Sequence, residues 1–143
     1  MKIRRATAND YPEMVRIWES AVKATHDFLT QEDFEHIKGL LAEAFFPQVD
    51  TYLLLNDEGR SLAFLGVHAD SLEMLFVDDA SREKGVGKQL MHYALTALGI
   101  RKVDVNEQNS QAVGFYEQMG FKVSGRSEKD GMGKPYPILH MER

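Results

Sequence analysis

The sequence predicts a mixed α/β (α+β) fold: a mostly antiparallel sheet of about seven strands with one parallel β-α-β crossover, flanked by about four helices. Three observations support this prediction. Apolar residues recur at helical spacing in two segments near the N-terminus, three strand-like runs joined by short polar turns follow, and a glycine-rich turn then leads into another helical pattern. With 143 residues and no repeat or long Gly/Ser/Pro linker, the chain is expected to form a single domain over residues 1–143.

The N-terminal third is predicted to contain one strand and two helices. Residues 1–7 alternate as in a strand, and Asn9 or Asp10 can cap the helix that follows. Thr30 is expected to cap a second helix, which Pro47 ends. The predicted apolar faces are Met14, Ile17, Trp18, Ala21 and Val22 in the first helix, and Phe34, Ile37, Leu41, Ala44 and Phe45 in the second.

The spacing of the apolar residues then changes from helix to strand. Residues 51–57, 61–68 and 71–77 are typical of three strands in an antiparallel meander, since polar turns with Asp, Gly and Ser separate them. The remaining predicted elements are a helix over 84–98 that stops at Gly99, a strand over 101–105, a helix over 109–119, and two strands over 121–129 and 136–143.

Composition and charge argue against several classes of protein. The absence of cysteine rules out a disulfide scaffold, a zinc–thiolate site and a cysteine nucleophile. The 22 acidic and 17 basic residues give a formal charge of −5, which argues against a general nucleic-acid-binding surface. No apolar run is long enough to span a bilayer, and the N-terminus lacks the apolar core of a signal peptide. We therefore expect a cytoplasmic protein with no nucleic-acid or membrane partner, and the five histidines show no spacing that indicates a metal site.

The segment REKGVGKQL, residues 82–90, is typical of a loop that binds phosphate. A P-loop would have a glycine in place of Arg82 and Ser or Thr in place of Gln89, and a dinucleotide-binding fingerprint would have a third glycine in place of Leu90. The remaining interpretation is an Arg-x-x-Gly-x-Gly turn into a helix. Its glycines let a ligand approach the backbone, and the helix N-terminus attracts a pyrophosphate. This turn alone is a weak signal, so a second motif is needed.

The second motif is VNEQNSQAVGFYEQMGF, residues 105–121. Together with LFVDDASREKGVGKQL, residues 75–90, it resembles the signatures of the GNAT superfamily of acetyl-CoA-dependent N-acetyltransferases. The resemblance extends over nearly the whole chain, because the order of elements fits as well, and the segments ATHDFL and GKPYPIL are similar to a small bacterial, YjaB-like branch. It implies a GNAT-like fold and direct transfer of the acetyl group from acetyl-CoA to a primary amine, with CoA as product and no metal.

The resemblance also implies which residues bind acetyl-CoA. The strand before the glycine-rich loop is expected to pair its backbone with the pantetheine arm, and the loop to hold the pyrophosphate. For most of these residues an ordinary strand, capping or core role is an alternative that is compatible with binding. The implied cofactor-binding residues are Leu75, Phe76, Val77, Arg82, Lys84, Gly85, Val86, Gly87, Lys88, Asn109 and Phe115.

The resemblance also indicates candidate catalytic and acceptor-binding residues. Tyr116 matches the family tyrosine near the cofactor sulfur, and it can act as general acid towards the CoA thiolate if its surroundings lower its pKa or if proton transfer is concerted. Glu73 is the candidate base, acting through water, because a carboxylate is unusual in the apolar run SLEMLFV; a solvent-facing strand position is the alternative. His68 is the alternative base. The residues expected near the acceptor are His26, Phe28, His68, Asn106 and Tyr136.

Partners and function stay partly open at this point. The acceptor can be a small-molecule or a peptide amine, and the alternative function is a non-catalytic acetyl-CoA-binding module that regulates a protein partner. The presence of Tyr116 and Glu73 favours the enzyme. A homodimer is possible if the edge of YLLL, residues 52–55, or of the C-terminal strand pairs between subunits.

Overall fold

The computed structural model describes residues 1–82 and 84–143. The described residues form strands and helices in the predicted order, and apart from the end of the second helix their bounds differ from the prediction by a few residues at most. The elements are β1 (Lys2–Arg5), α1 (Tyr11–Thr25), α2 (Gln31–Leu40), β2 (Asp50–Leu55), β3 (Ser61–His68), β4 (Ser71–Val77), α3 (Val86–Thr96), β5 (Lys102–Asn106), α4 (Ser110–Gln118), β6 (Lys122–Ser127) and β7 (Ile138–Glu142).

The described strands form one mixed sheet in the order β1-β2-β3-β4-β5-β7-β6. Neighbouring strands are antiparallel, except that β4 and β5 are parallel and are connected through α3. The predicted antiparallel meander and the parallel β-α-β crossover are therefore confirmed. Parallel neighbours require such a crossover, since a tight turn can join only antiparallel strands.

The edges of the sheet are not where the sequence suggested. The YLLL segment lies in β2, which is paired with β1 on one side and β3 on the other. The C-terminal strand β7 is inserted between β5 and β6. The edge strands are β1 and β6 instead, so neither segment suggested for pairing between subunits has a free edge.

Helices cover both faces of the sheet. On one face α1 and α2 pack against the meander, and the whole predicted apolar face of α1 is buried. On the other face α3 and α4 pack against the central strands. Because each large apolar side chain contributes about 1.5–3 kcal/mol when fully buried, both layers stabilise the sheet that carries the site. Representative buried residues are Met14, Ile17, Phe34 and Phe64 on the first face, and Leu65, Leu90, Met91 and Val103 on the second.

The end of the second helix differs from its prediction. After α2 the chain forms a π-helical turn over Leu41–Phe45 and a 3-10 turn over Phe46–Gln48. A π-helical turn contains an extra residue, so it rotates the following side chains around the helix axis. As a result Phe46, which was not predicted to be in the core, is fully buried and contacts Phe64 edge-on at a ring distance of 5.5 Å.

Candidate active site

The parallel pairing of β4 and β5 is short, and the two strands separate beyond it. Their paired Cα positions are Ser71 with Lys102 and Leu72 with Val103. Past this point the strands enclose a cleft of about 480 Å³, which the N-terminal ends of α3 and α4 also border. A crevice at the carboxyl ends of parallel strands is a common ligand site, because no neighbouring strand uses the backbone groups there.

The cleft brings together most of the residues that the sequence singled out. They come from four segments: the end of α1, the second half of β4, the glycine-rich turn with the start of α3, and the region from the end of β5 through α4. The predicted residues that line the cleft are His26, Glu73, Leu75, Phe76, Val77, Arg82, Gly85, Gly87, Lys88, Asn106, Asn109, Phe115 and Tyr116.

Glu73 occupies an irregular position in β4. Gly66 of β3 is opposite Met74 and Val67 is opposite Leu72, which makes Glu73 the extra residue of a β-bulge. A bulge bends its strand and changes the direction of the side chain. The Glu73 side chain is exposed and borders the cleft. The structure thus gives a reason for a carboxylate inside an otherwise apolar run.

The N-terminus of α3 is open to an anion. Gly85 precedes the helix with a φ of 77°, a left-handed conformation that glycine adopts without steric cost. Among the described residues no side chain caps this end, and the first turn of α3 contains no acidic residue. The first helical hydrogen bond runs from Gln89 N–H to the Gly85 carbonyl oxygen at 3.1 Å, which leaves the preceding N–H groups of the helix without a helical partner. These groups and the helix dipole suit the pyrophosphate of a CoA ester.

Basic side chains surround this helix end to different degrees. Arg82 borders the cleft and pairs with Asp79 through Nε and Oδ1 at 3.3 Å, and Lys88 borders it as well. Lys84 is exposed but lies outside the lining. The side chain of Val86 is buried in the core, so only its backbone is available to a ligand.

Two asparagines form the opposite wall of the cleft. Asn109 caps α4 by accepting a hydrogen bond from Ala112 N–H at 3.2 Å, the capping role that the sequence suggested as an alternative. Asn106 accepts from Gln108 N–H at 3.2 Å. Each asparagine uses its side-chain oxygen in the turn, which leaves the amide nitrogen as the group available to a ligand.

Tyr116 lies on α4 at the side of the cleft. Its ring is 6% exposed and is held edge-on between Phe115 and Phe121, at ring distances of 5.3 and 6.0 Å. Burial raises the pKa of the Tyr116 hydroxyl. The sequence allowed two routes for proton donation, and the route through a lowered pKa does not fit these surroundings. A role of Tyr116 as general acid would therefore require donation concerted with departure of the sulfur.

His26 directly follows α1 and borders the cleft. Its Nδ1 lies 2.8 Å from Thr25 Oγ1, and that hydroxyl donates to the Ala21 carbonyl oxygen at 2.8 Å. Because a hydroxyl has one proton, Thr25 accepts in its contact with His26, so Nδ1 carries the imidazole proton and Nε2 keeps its lone pair. Burial lowers the pKa of His26 to about 4, although Asp27 opposes the shift. At neutral pH the ring is therefore uncharged and can accept a hydrogen bond.

Phe28 and Tyr136 lie beside the cleft rather than in its lining. The Tyr136 hydroxyl donates to Asp33 Oδ2, and Lys134 Nζ lies 3.2 Å from the other oxygen of this carboxylate. Phe28 contacts the rings of His26 and Tyr136 at 5.2 and 6.0 Å. The hydrogen bond from Tyr136 keeps the pKa of Asp33 below its usual value. Together these contacts connect the segment before β7 to the start of α2 and to His26.

His68 is not brought to the cleft. It is exposed at the end of β3, opposite Ser71. At Ser71 the neighbouring strand β4 is still paired with β5, so the cleft has not opened there. The register of the meander therefore separates His68 from Glu73, although both were considered as bases from the sequence.

Asp78 is a residue of the site region that the sequence reasoning missed. It follows β4 directly, is 5% exposed, and accepts hydrogen bonds at 2.9 Å from Arg16 Nη1 and from Ser20 Oγ. Burial favours protonation of Asp78, but these hydrogen bonds outweigh it and the pKa is lowered. The carboxylate thus ties the start of the glycine-rich loop to α1. The only feature of the sequence that points to Asp78 is its place directly after an apolar run. The sequence does not indicate its partners on α1.

The described residues, 1–82 and 84–143, show neither a metal-binding cluster nor a membrane-spanning helix. They contain no group of three or more His, Cys, Asp or Glu side chains that could hold a metal ion. None of their helices is long and apolar enough to cross a membrane.

Comparison with known proteins identifies the family. Residues 24–137 match the family model described as an acetyltransferase (GNAT) domain. The chain therefore belongs to the GNAT family of acetyltransferases. This confirms the family resemblance and the predicted enzyme class, an acetyl-CoA-dependent N-acetyltransferase.

Within the family, the chain is similar to proteins named YjaB. The chain is 40% identical over 141 residues to the peptidyl-lysine N-acetyltransferase YjaB of Escherichia coli, a match that covers 99% of this chain and 95% of the relative. It is 39% identical over 141 residues to the protein of the same name from Salmonella typhimurium, covering 99% of this chain and 97% of that one. The solution structure of apo-form YjaB from Escherichia coli matches the fold with a TM-score of 0.91 at 39% identity, over 99% of this chain and 95% of that chain. The predicted YjaB-like branch and GNAT-like fold are confirmed.

Proposed function

We propose that the chain transfers the acetyl group of acetyl-CoA to the side-chain amine of a lysine in a peptide or protein. The observation that carries the proposal is the open cleft itself, in which an uncapped helix end, unpaired β4 backbone and a buried tyrosine face one cavity. The choice of lysine rests on the printed activity of the YjaB relatives, which are peptidyl-lysine N-acetyltransferases.

The cofactor would be held mainly by backbone groups. Leu75 to Val77 lie on the part of β4 that has left β5, so their outward N–H and C=O groups can pair with the amides of the pantetheine arm. The first N–H groups of α3, with Arg82 and Lys88 nearby, would bind the pyrophosphate. When bound, acetyl-CoA supplies an acetyl thioester as the acyl donor.

The acceptor amine must lose its charge before it can attack. A lysine ammonium has a pKa of about 10.4, so only on the order of one molecule in 10³ is neutral at pH 7. Glu73 is exposed at the bulge and can remove the proton through a water molecule. His26, with Nε2 unprotonated, can accept a hydrogen bond from the amine and orient its lone pair.

The departing sulfur must take up a proton. The Tyr116 hydroxyl stays protonated because burial raises its pKa, so it can donate a hydrogen bond as the C–S bond breaks. A backbone N–H near Val77 would stabilise the negative charge that develops on the acetyl oxygen. The reaction thus proceeds by direct attack, without an acyl group on the enzyme.

The proposal is tested with an N-terminally blocked peptide that contains one lysine, and with the matched peptide that has arginine in its place. We expect release of free CoA thiol and a mass increase of one acetyl group with the lysine peptide only. A panel of small amines run in parallel identifies a small-molecule acceptor. If small amines are acetylated and the lysine peptide is not, the lysine assignment is wrong while the amine-acetyltransferase assignment stands.

A further inference from the structure

A hydrogen-bonded chain of three side chains crosses the strands β5, β7 and β6. The His140 ring on β7 lies with Nδ1 2.7 Å from Asp104 Oδ1 on β5, and with Nε2 2.7 Å from Ser127 Oγ on β6. The acetyl-transfer mechanism uses neither Ser127 nor His140. Asp104 borders the cleft, so the chain of hydrogen bonds begins at the edge of the acetyl-transfer site.

For a neutral imidazole, the chemistry of the partners fixes the direction of both hydrogen bonds. An ionised carboxylate can only accept, so Nδ1 of the imidazole is protonated and donates a hydrogen bond to Asp104. Nε2 then has the lone pair, and the Ser127 hydroxyl donates to it. This is the order of roles in serine hydrolases, where the carboxylate orients the imidazole and the imidazole accepts the serine proton.

The backbone around His140 holds the ring in place. His140 is paired directly with Asp104 on one side and with Gly125 on the other. A Cβ atom at Gly125 would lie 3.5 Å from His140 Cδ2, so the ring lies against this glycine while it reaches across to Ser127. The register between β6 and β7 shifts between Val123 and Gly125, which leaves Ser124 without a partner on β7.

Ser127 lies on an edge strand of the sheet. β6 is an edge strand, so no neighbouring strand among the described residues occupies its outer side. The outer edge of such a strand presents backbone N–H groups that no strand pairs, and N–H groups of this kind can hydrogen-bond a carbonyl oxygen. Ser127 is half-buried, and both His140 and Asp104 have solvent-accessible side chains.

We propose that Ser127, His140 and Asp104 form a second catalytic site, a nucleophilic triad that cleaves small acyl esters and thioesters. Ser127 Oγ forms a bond to the carbonyl carbon while its proton passes to His140 Nε2. The bond from this carbon to the ester oxygen or thioester sulfur breaks, and the leaving group takes the proton from His140. Water then attacks the acyl-serine with His140 as base, which releases the acid and restores the serine.

The test uses the full chain and p-nitrophenyl acetate as the ester. We expect hydrolysis that Ser127→Ala lowers at least about tenfold, and that His140→Ala and Asp104→Asn also lower, because each removes one member of the triad. Ser124→Ala is the matched control: this serine lies on the same strand, but its hydroxyl donates to the His140 carbonyl oxygen at 3.1 Å rather than to the ring. The control should retain the wild-type rate.

A second measurement identifies the reactive atom. Phenylmethylsulfonyl fluoride should modify Ser127 and leave Ser124 unmodified, as read by mass spectrometry of the digested chain, and His140→Ala should abolish the modification. Acetyl-CoA binding, measured by calorimetry, checks that Ser127→Ala is folded and leaves the acetyl-transfer site intact. Wild-type ester hydrolysis by a folded Ser127→Ala variant, or equal labelling of both serines, would overturn the proposal.

Discussion

The two ends of the cleft are built in different ways. At the α3 end, the groups proposed to hold the cofactor are mainly backbone N–H groups and glycines from one short segment that begins at Gly85. At the end where we propose that the acceptor binds, the groups are the Glu73 and His26 side chains, which reach the cleft from a β-bulge and from the end of a distant helix. Substitution should therefore act through backbone conformation at the first end, and through side-chain chemistry at the second.

The largest effect on turnover is expected for Tyr116→Phe, which acts on the chemical step rather than on either end of the cleft. Loss of the hydroxyl should lower kcat about 10²-fold, because the proposed proton donor to the departing sulfur is then missing, and should leave the Kd for acetyl-CoA unchanged. Release of CoA thiol at saturating substrate measures kcat, and calorimetry measures the Kd for acetyl-CoA. Tyr93→Phe on α3, whose ring packs against Tyr52, is the control. Turnover at the wild-type level in Tyr116→Phe would exclude the hydroxyl as acid.

The backbone end is tested by Gly85→Ala, with Gly59→Ala as its matched control. Both glycines have positive φ, 77° and 81°, and an added Cβ would meet no atom within 4 Å at either site. Both substitutions should therefore cost about 1–2 kcal/mol of stability through backbone strain alone. Only Gly85→Ala should also weaken acetyl-CoA binding, by about tenfold, as measured by calorimetry. Equal weakening by Gly59→Ala would show that the effect is not local to the helix end.

The side-chain end is tested by Glu73→Gln. At pH 7 we expect a loss of about fivefold in kcat/KM for the lysine peptide, because the charged amine then lacks its base. The loss should shrink as the pH approaches the amine pKa of about 10.4, where the amine deprotonates without help. A pH–rate profile of the variant parallel to that of the wild type would rule out Glu73 as base. Glu58→Gln, in the exposed turn between β2 and β3, serves as control.

The smallest effect is expected for substitution of His26, which should change how the free energy of unfolding depends on pH. Its pKa is about 4 in the folded chain and about 6.5 when unfolded. Above pH 6.5 neither state binds the proton, and as the pH falls towards 4 the unfolded state binds it first, so the free energy of unfolding decreases. Urea unfolding at pH 7.5 and 4.5 should show a decrease on the order of 1 kcal/mol that His26→Gln lacks. The exposed His92→Gln is the control. If His26→Gln keeps the full decrease in the free energy of unfolding and His92→Gln loses it, the burial of His26 does not cause the decrease.

Several features of the fold and the site could be predicted from the sequence because they depend on local spacing. The helical face of α1, the meander of β2 to β4 and the glycine turn before α3 each come from one continuous segment. Thr30 was expected to cap the second helix, and its hydroxyl accepts from Asp33 N–H at 3.1 Å. In each case the residues that decide the structure are neighbours along the chain.

The tertiary structure alone decided which distant residues meet. It inserted β7 between β5 and β6, which placed Asp104, His140 and Ser127 side by side, and it kept His68 away from the cleft. It also buried Tyr116 among aromatic rings, which raised a pKa that the sequence could not specify. The physical reason is the same throughout: spacing along the chain sets local backbone geometry, whereas contact, burial and the pKa of a side chain depend on strand order and register.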